Sequence, residues 1–118
     1  MHEAGIALQI VKIAQGAIPA DADQARVGKV YLNIGKLSAV VPASLRFCFG
    51  FAAQGTRLEG AELVINEIKP LARCRVCGHD WRIEEMAFSC PACGGGGIDV
   101  ISGRELTVKA IEIKDPVL

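Results

Sequence analysis

The chain has 118 residues, 51% of them apolar and 22% charged. That is room for one compact domain with a smaller insert, and the composition excludes a disordered chain. Lys plus Arg and Asp plus Glu number 13 each, so no net charge draws the chain to nucleic acid, and no apolar run nears the roughly 20 residues that span a bilayer.

The opening Met1-His2-Glu3-Ala4-Gly5 has no basic stretch ahead of an apolar run. It therefore lacks the plan of a secretory signal, and the expected compartment is the cytoplasm. Residues 4–18 read as a helix, with Ile6, Ile10, Ile13 and Ala17 on one stripe that Leu8 and Val11 widen. Pro19 stops it. Val30, Leu32 and Ile34 then alternate with Lys29, Tyr31 and Asn33, the pattern of a half-buried strand closed by Gly35.

Residues 42–53 return to helical spacing. Pro42 suits the first turn, and Leu45, Cys48, Phe49 and Ala52 share a face that Phe47 and Phe51 thicken. Gly55 suits the exit. Residues 61–68 read as a second strand and 105–114 as a third, ended by Asp115-Pro116. The alternation of the last strand changes face between Ala110 and Ile111, as at a bulge or in a strand part-buried on both sides. A strand–helix–strand order favours a two-layer α/β (α+β) domain: a small three-stranded mixed sheet with two helices on one face. The domain would be 1–70 with 104–118, and a zinc-ribbon-like module, 71–103, would be inserted in it.

The insert holds Cys74-x2-Cys77 and Cys90-x2-Cys93, each followed by a glycine, Gly78 and Gly94. Two such pairs across a short hairpin form a four-sulfur shell that suits zinc. A closed shell leaves no position for substrate, so the zinc would be structural. Rival readings are two disulfides, or iron on knuckles like those of rubredoxin. Arg73, Arg75 and Arg82 face Asp80, Glu84, Glu85 and Asp99 in number, a slightly acidic balance that opposes nucleic-acid binding. His79 reads as a solvated loop residue, Cys48 as a small buried hydrophobe, and Trp81 as a cover for the zinc knuckle. The Gly94–Gly97 run reads as a turn, since no Gly-Lys-Ser/Thr follows it.

At the amino terminus, a free Met1 amine, the backbone nitrogen of His2 and its imidazole can close chelate rings on one metal. The bulky second residue is expected to leave Met1 in place. The amide nitrogen or the carboxylate of Glu3 supplies a fourth donor, and such a tetragonal nitrogen–oxygen set suits Ni(II) or Cu(II). The plain alternatives are an exposed terminal His2, and a Glu3 that favours the helix dipole.

These features together resemble the HypA family of hydrogenase-maturation nickel metallochaperones. The match runs through Met1-His2-Glu3, Gly35 with Leu37, and Pro42, Ser44, Leu45 and Phe49. It continues through Glu59-Gly60-Ala61-Glu62-Leu63, the two cysteine pairs with their glycines, and Gly103-x-Glu105-Leu106. Lys36 departs from the pattern, which often has Glu there. The resemblance implies a carrier and not an enzyme. It implies transported Ni(II) on Met1, His2 and Glu3, and structural Zn(II) on Cys74, Cys77, Cys90 and Cys93. Its implied partners are a nickel-associated maturation GTPase and the [NiFe]-hydrogenase large-subunit precursor, with urease accessory proteins in some members. The alternative from another class is a zinc-ribbon interaction or nucleic-acid module that transports no metal.

Overall fold

The structure, a computed structural model, describes residues 2–22, 25–84 and 88–114. The elements run α1 (Glu3–Gly16), β1 (Arg26–Gly35), a short 3-10 turn (Lys36–Ser38), α2 (Pro42–Ala52), β2 (Glu62–Ile68), β3 (Leu71–Cys74), β4 (Asp80–Arg82), β5 (Ile98–Ser102) and β6 (Leu106–Lys114). This is a small α+β fold with a mixed sheet, two helices and a cysteine-rich inserted module. Asp115 and Pro116, read as the stop of the last strand, lie outside the described residues.

The first sheet has the order β2-β1-β6. Val27 N–H donates to Arg57 O at 2.9 Å, and Asn66 reaches Asn33 at 3.1 Å, so numbers climb together and β2 lies parallel to β1. On the other side Gly35 N–H meets Glu105 O at 2.7 Å, while Gly28 lies against Lys114, so β6 is antiparallel. As the alternation requires, Val30, Leu32 and Ile34 are buried and Lys29, Tyr31 and Asn33 half-buried. On β6 the half-buried positions are Val108, Ile111 and Ile113, so the alternation does break before Ile111.

By contacts the chain falls into two compact units. The first comprises residues 1–33, 39–66 and 107–118, and the second residues 34–38 and 67–106. In the first unit α1 packs on α2. The buried face of α1 is Ala7, Ile10, Val11 and Ala14, which is rotated from the expected stripe. Leu8 and Ile13 are exposed. The alanines explain the rotation: small side chains at helical spacing let two helices approach closely, and burial follows the neighbour rather than the largest residues. On α2, Leu45 and Phe49 are buried, but Phe47 and Phe51 are 69% and 61% exposed. Both were expected to thicken the buried face. Instead they pair edge to face one turn apart, with ring centroids 5.1 Å apart.

The second unit contains a sheet that the sequence did not disclose, ordered β4-β3-β5 and wholly antiparallel. Among its described residues the buried side chains are few: Ile34, Pro70, Ala72, Cys74, Ile83 and Cys90. Two of the six are cysteines, so apolar burial alone gives this unit little stability.

Candidate metal centre

Each Cys-x2-Cys pair sits in a turn closed by the same two backbone bonds. In the first, Gly78 N–H donates to Cys74 O (3.0 Å) and Cys74 N–H to His79 O (2.9 Å). In the second, Gly94 N–H donates to Cys90 O (2.8 Å) and Cys90 N–H to Gly95 O (2.9 Å). Gly78 and Gly94 both take φ near +76°, at 77° and 75°, a conformation that strains any side chain. The glycine after each pair is therefore what lets the turn fold back. β3 ends at Cys74 and pairs with β4 and β5, which fixes the first knuckle to the sheet.

The turns bring all four sulfurs within 4.8 Å of one another. Across the two knuckles Cys74 faces Cys93 and Cys77 faces Cys90, each at 3.6 Å. That is far beyond an S–S bond of about 2.05 Å, and none of the five cysteines is paired in a disulfide. The disulfide reading is thus set aside. Cys48 is half-buried on α2 and belongs to the first unit, whereas the quartet belongs to the second.

The backbone prepares one sulfur for ionisation. The N–H groups of Cys77 (3.5 Å) and Val76 (3.4 Å) point at Cys74 Sγ. They bring its pKa from 9.0 down to about 6. The His79 N–H pulls Cys77 the same way, but burial and the sulfurs of Cys90, Cys74 and Cys93 prevail and push it up to about 12. Cys93 also ends above its ordinary value: the Gly95 N–H draws it down, but Cys74 and Cys90 outweigh that bond. One thiolate forms readily and the next are penalised by it. A cation at the centre removes that penalty, so the cluster is suited to binding a metal ion.

Around the cluster the expected roles divide. His79 is exposed, and its ring stacks on half-buried Trp81 with centroids 6.1 Å apart and planes 10° from parallel. Arg73 makes a two-pronged pair with Asp80 at 2.8 and 3.0 Å. Arg75 reaches Asp99 at 2.8 Å and Ile98 O at 3.0 Å. These two arginines are spent on cross-strand neighbours, which leaves the face of β3 without free cations for a phosphate backbone.

At the other end of the chain, Met1 lies outside the described residues. His2 is exposed and caps α1 through its carbonyl, which accepts the first helical bond from Ile6 N–H at 3.2 Å. Glu3 begins the helix and is half-buried. Its Oε2 accepts a bond from Val41 N–H at 3.3 Å. Val41 is the cap of α2 and has no side-chain cap of its own. Glu3 thus joins the two helix starts, a contact over 38 residues that no local sequence pattern signals.

Residues 1–113 match the family model described as hydrogenase/urease nickel incorporation, metallochaperone, hypA. With the fold and the four-thiol centre, this defines the class: a small metal-binding chaperone rather than an enzyme. A hydrogenase maturation factor HypA from Desulfosudis oleivorans is 55% identical over 115 residues, covering 98% of this chain and 100% of its own. Another, from Geotalea uraniireducens, is 42% identical and covers 97% and 100%. The solution structure of the Ni metallochaperone HypA from Helicobacter pylori matches with a TM-score of 0.66 at 20% identity, over 96% of this chain and 97% of that one, a likeness of fold. The chain belongs to the HypA family, whose proteins work with the hydrogenase maturation machinery.

Proposed function

We propose that the chain carries Ni(II) at its amino terminus for [NiFe]-hydrogenase maturation and holds Zn(II) in the four-cysteine centre as a structural ion. The observation that carries the nickel reading is the start of α1. The first helical donor is Ile6, so the amide nitrogens of His2 and Glu3 stand ahead of the hydrogen-bond ladder. A chelate of the Met1 amine, the His2 amide nitrogen and the His2 imidazole must displace the amide proton. At this position the displacement breaks no helical bond. The resulting negative charge also sits at the positive end of the helix dipole. Glu3 has one oxygen engaged by Val41 N–H, so it offers its amide nitrogen or its second oxygen as the fourth donor. Such nitrogen–oxygen donors in a tetragonal set suit Ni(II). Proton release on binding makes the affinity fall with acidity, which suits a cargo that must later be given up.

The zinc reading rests on sulfur spacing. Four thiolates about 2.3 Å from a tetrahedral zinc lie about 3.8 Å apart, and the cross-knuckle pairs stand at 3.6 Å. Zinc in this shell would supply folding energy rather than chemistry, holding the second unit ready to dock while α1 presents nickel. The corresponding partners are a nickel-associated maturation GTPase and the hydrogenase large-subunit precursor, with urease accessory proteins as a further route. The compartment is the cytoplasm, where free thiols persist.

The test is nickel and zinc per chain after dialysis, by mass spectrometry. It compares protein with a free Met1 amine, the His2→Ala variant, and protein with one extra residue ahead of Met1. About one zinc in all three and nickel in the first alone is the expected result. Equal nickel in all three refutes the amino-terminal site.

A further inference from the structure

Within the second unit lies an open cleft of about 500 Å³, bounded by Lys36 and Leu37, by Lys69 and Pro70, and by the chain at the end of β4. Its surfaces differ in kind. Buried Pro70 and Ile83 and half-buried Leu37 make an apolar floor. Lys36, Lys69 and Arg82 stand exposed on the rim, with Glu84 the one acid among the described lining residues. None of the three cations has an ion pair among the described residues, whereas Arg73 and Arg75 of the same unit are both matched. Charges balance over the whole chain, so this positive excess is local.

The backbone beneath the rim is fixed. Leu37 N–H donates to Gly103 O at 2.6 Å, Ser102 Oγ to Lys69 O at 2.8 Å, and Ile83 N–H to Pro70 O at 2.9 Å. Each cation therefore projects from a held chain while its side chain stays free to reach. β4 is also an edge strand of its sheet, and an edge can accept an extended segment alongside it.

We propose that this cleft docks an extended acidic segment of a partner protein, with an apolar residue between its carboxylates. The apolar side chain covers Leu37, Pro70 and Ile83, and the carboxylates meet Lys36, Lys69 and Arg82. A bare phosphate suits the site less, because the apolar floor gives it no convergent donors and would strip its water. The volume lies in the range of built ligand sites, roughly 300–1,000 Å³. The inference is independent of which metal the amino terminus carries.

The experiment titrates isotope-labelled, zinc-loaded full chain at low salt with the blocked peptide Asp-Glu-Leu-Glu-Asp, followed by amide shifts. Parallel titrations use the Lys-for-acid counterpart, inorganic phosphate and a short single-stranded oligonucleotide. The acidic peptide is expected to give saturable shifts at Lys36, Leu37, Arg82 and Ile83 that weaken with salt. Reversing one rim charge, by Lys36→Glu or Arg82→Glu, should weaken binding about tenfold. Lys109→Glu, on β6, should leave it unchanged. All three positions are exposed, and the same spectra report whether each variant is folded. The proposal is overturned by absence of saturable shifts, by binding that survives both reversals, or by tighter binding of phosphate or oligonucleotide at the same amides.

Discussion

Gly35 lies so close to the backbone of Gly103 that it has no room for a methyl group. A Cβ built on Gly35 would lie 2.0 Å from the carbonyl carbon and oxygen of Gly103 and 2.5 Å from Arg104 N. All three are backbone atoms and cannot turn aside. Unstrained carbon contacts need about 3.5 Å, so Gly35→Ala must drive the two chains apart by about 1.5 Å. That movement breaks the bonds Gly35 N–H to Glu105 O and Leu37 N–H to Gly103 O, of 2.7 and 2.6 Å. Two lost bonds cost about 1 kcal/mol each, and the strain of overpacking adds about 1–3 kcal/mol. Against this, alanine restricts the unfolded chain and returns about 0.5–1 kcal/mol. The net expectation is a loss of about 2–4.5 kcal/mol. Gly50→Ala is the control: it lies in α2, and an added Cβ meets nothing within 4 Å. It should gain about 0.5–1 kcal/mol of helix stability. Urea titration at fixed zinc reads both variants, Gly35→Ala by the emission of Trp81, the sole tryptophan and a residue of the second unit, and Gly50→Ala by the helical circular dichroism of the first. A Gly35→Ala protein within about 0.5 kcal/mol of the parent would refute the steric reasoning.

Cys77→Ser should lower zinc from about one per chain to nearly none, because the centre loses one of the four thiolates that would complete a tetrahedral shell. Metal-free protein should gain one thiolate, seen by ultraviolet absorbance, as pH rises through about 6, the value to which the N–H groups of Cys77 and Val76 bring Cys74. A lowered acid pKa stabilises the folded state most fully above its unfolded value of 9.0, and the contribution is lost as pH falls through about 6. Cys77, raised to about 12, acts in the opposite sense and subtracts stability above pH 9.0. A titration with no step near 6 would contradict this assignment. Glu3→Ala should cost at most about 1 kcal/mol in urea melts and still retain nickel if the Glu3 amide is the fourth donor. Loss of nickel with the fold intact would assign the carboxylate.

The cysteine cluster was legible because its determinants are local. Spacing and a following glycine specify each knuckle, whatever surrounds it. β1 was legible for a similar reason: one face is buried along its length, so Val30, Leu32 and Ile34 show period two. α1 was placed well but rotated wrongly, because hydrophobicity marks Ile13 and Leu8 while the packing partner selects Ala7 and Ala14. Phe47 and Phe51 misled by the same logic, since their exposure depends on where α2 meets its neighbour. β3, β4 and β5 hold four, three and five residues, too few for periodicity to declare itself. The Glu3–Val41 bond and the rim of Lys36, Lys69 and Arg82 join positions far apart in the chain, and only the folded backbone brings such positions together.

The four sulfurs are not equivalent in the order in which they can be lost. In each knuckle the first cysteine is buried and the second exposed: Cys74 and Cys90 lie inside, Cys77 and Cys93 outside. A competing chelator or an electrophile therefore meets one sulfur from each turn before it meets the others. Dismantling of the centre runs from its outer rim inward. A half-stripped intermediate keeps one inner sulfur on each turn, so any ion held there would tie the two loops together until the last step. In the structural role proposed for zinc, that order of loss would make its departure slow.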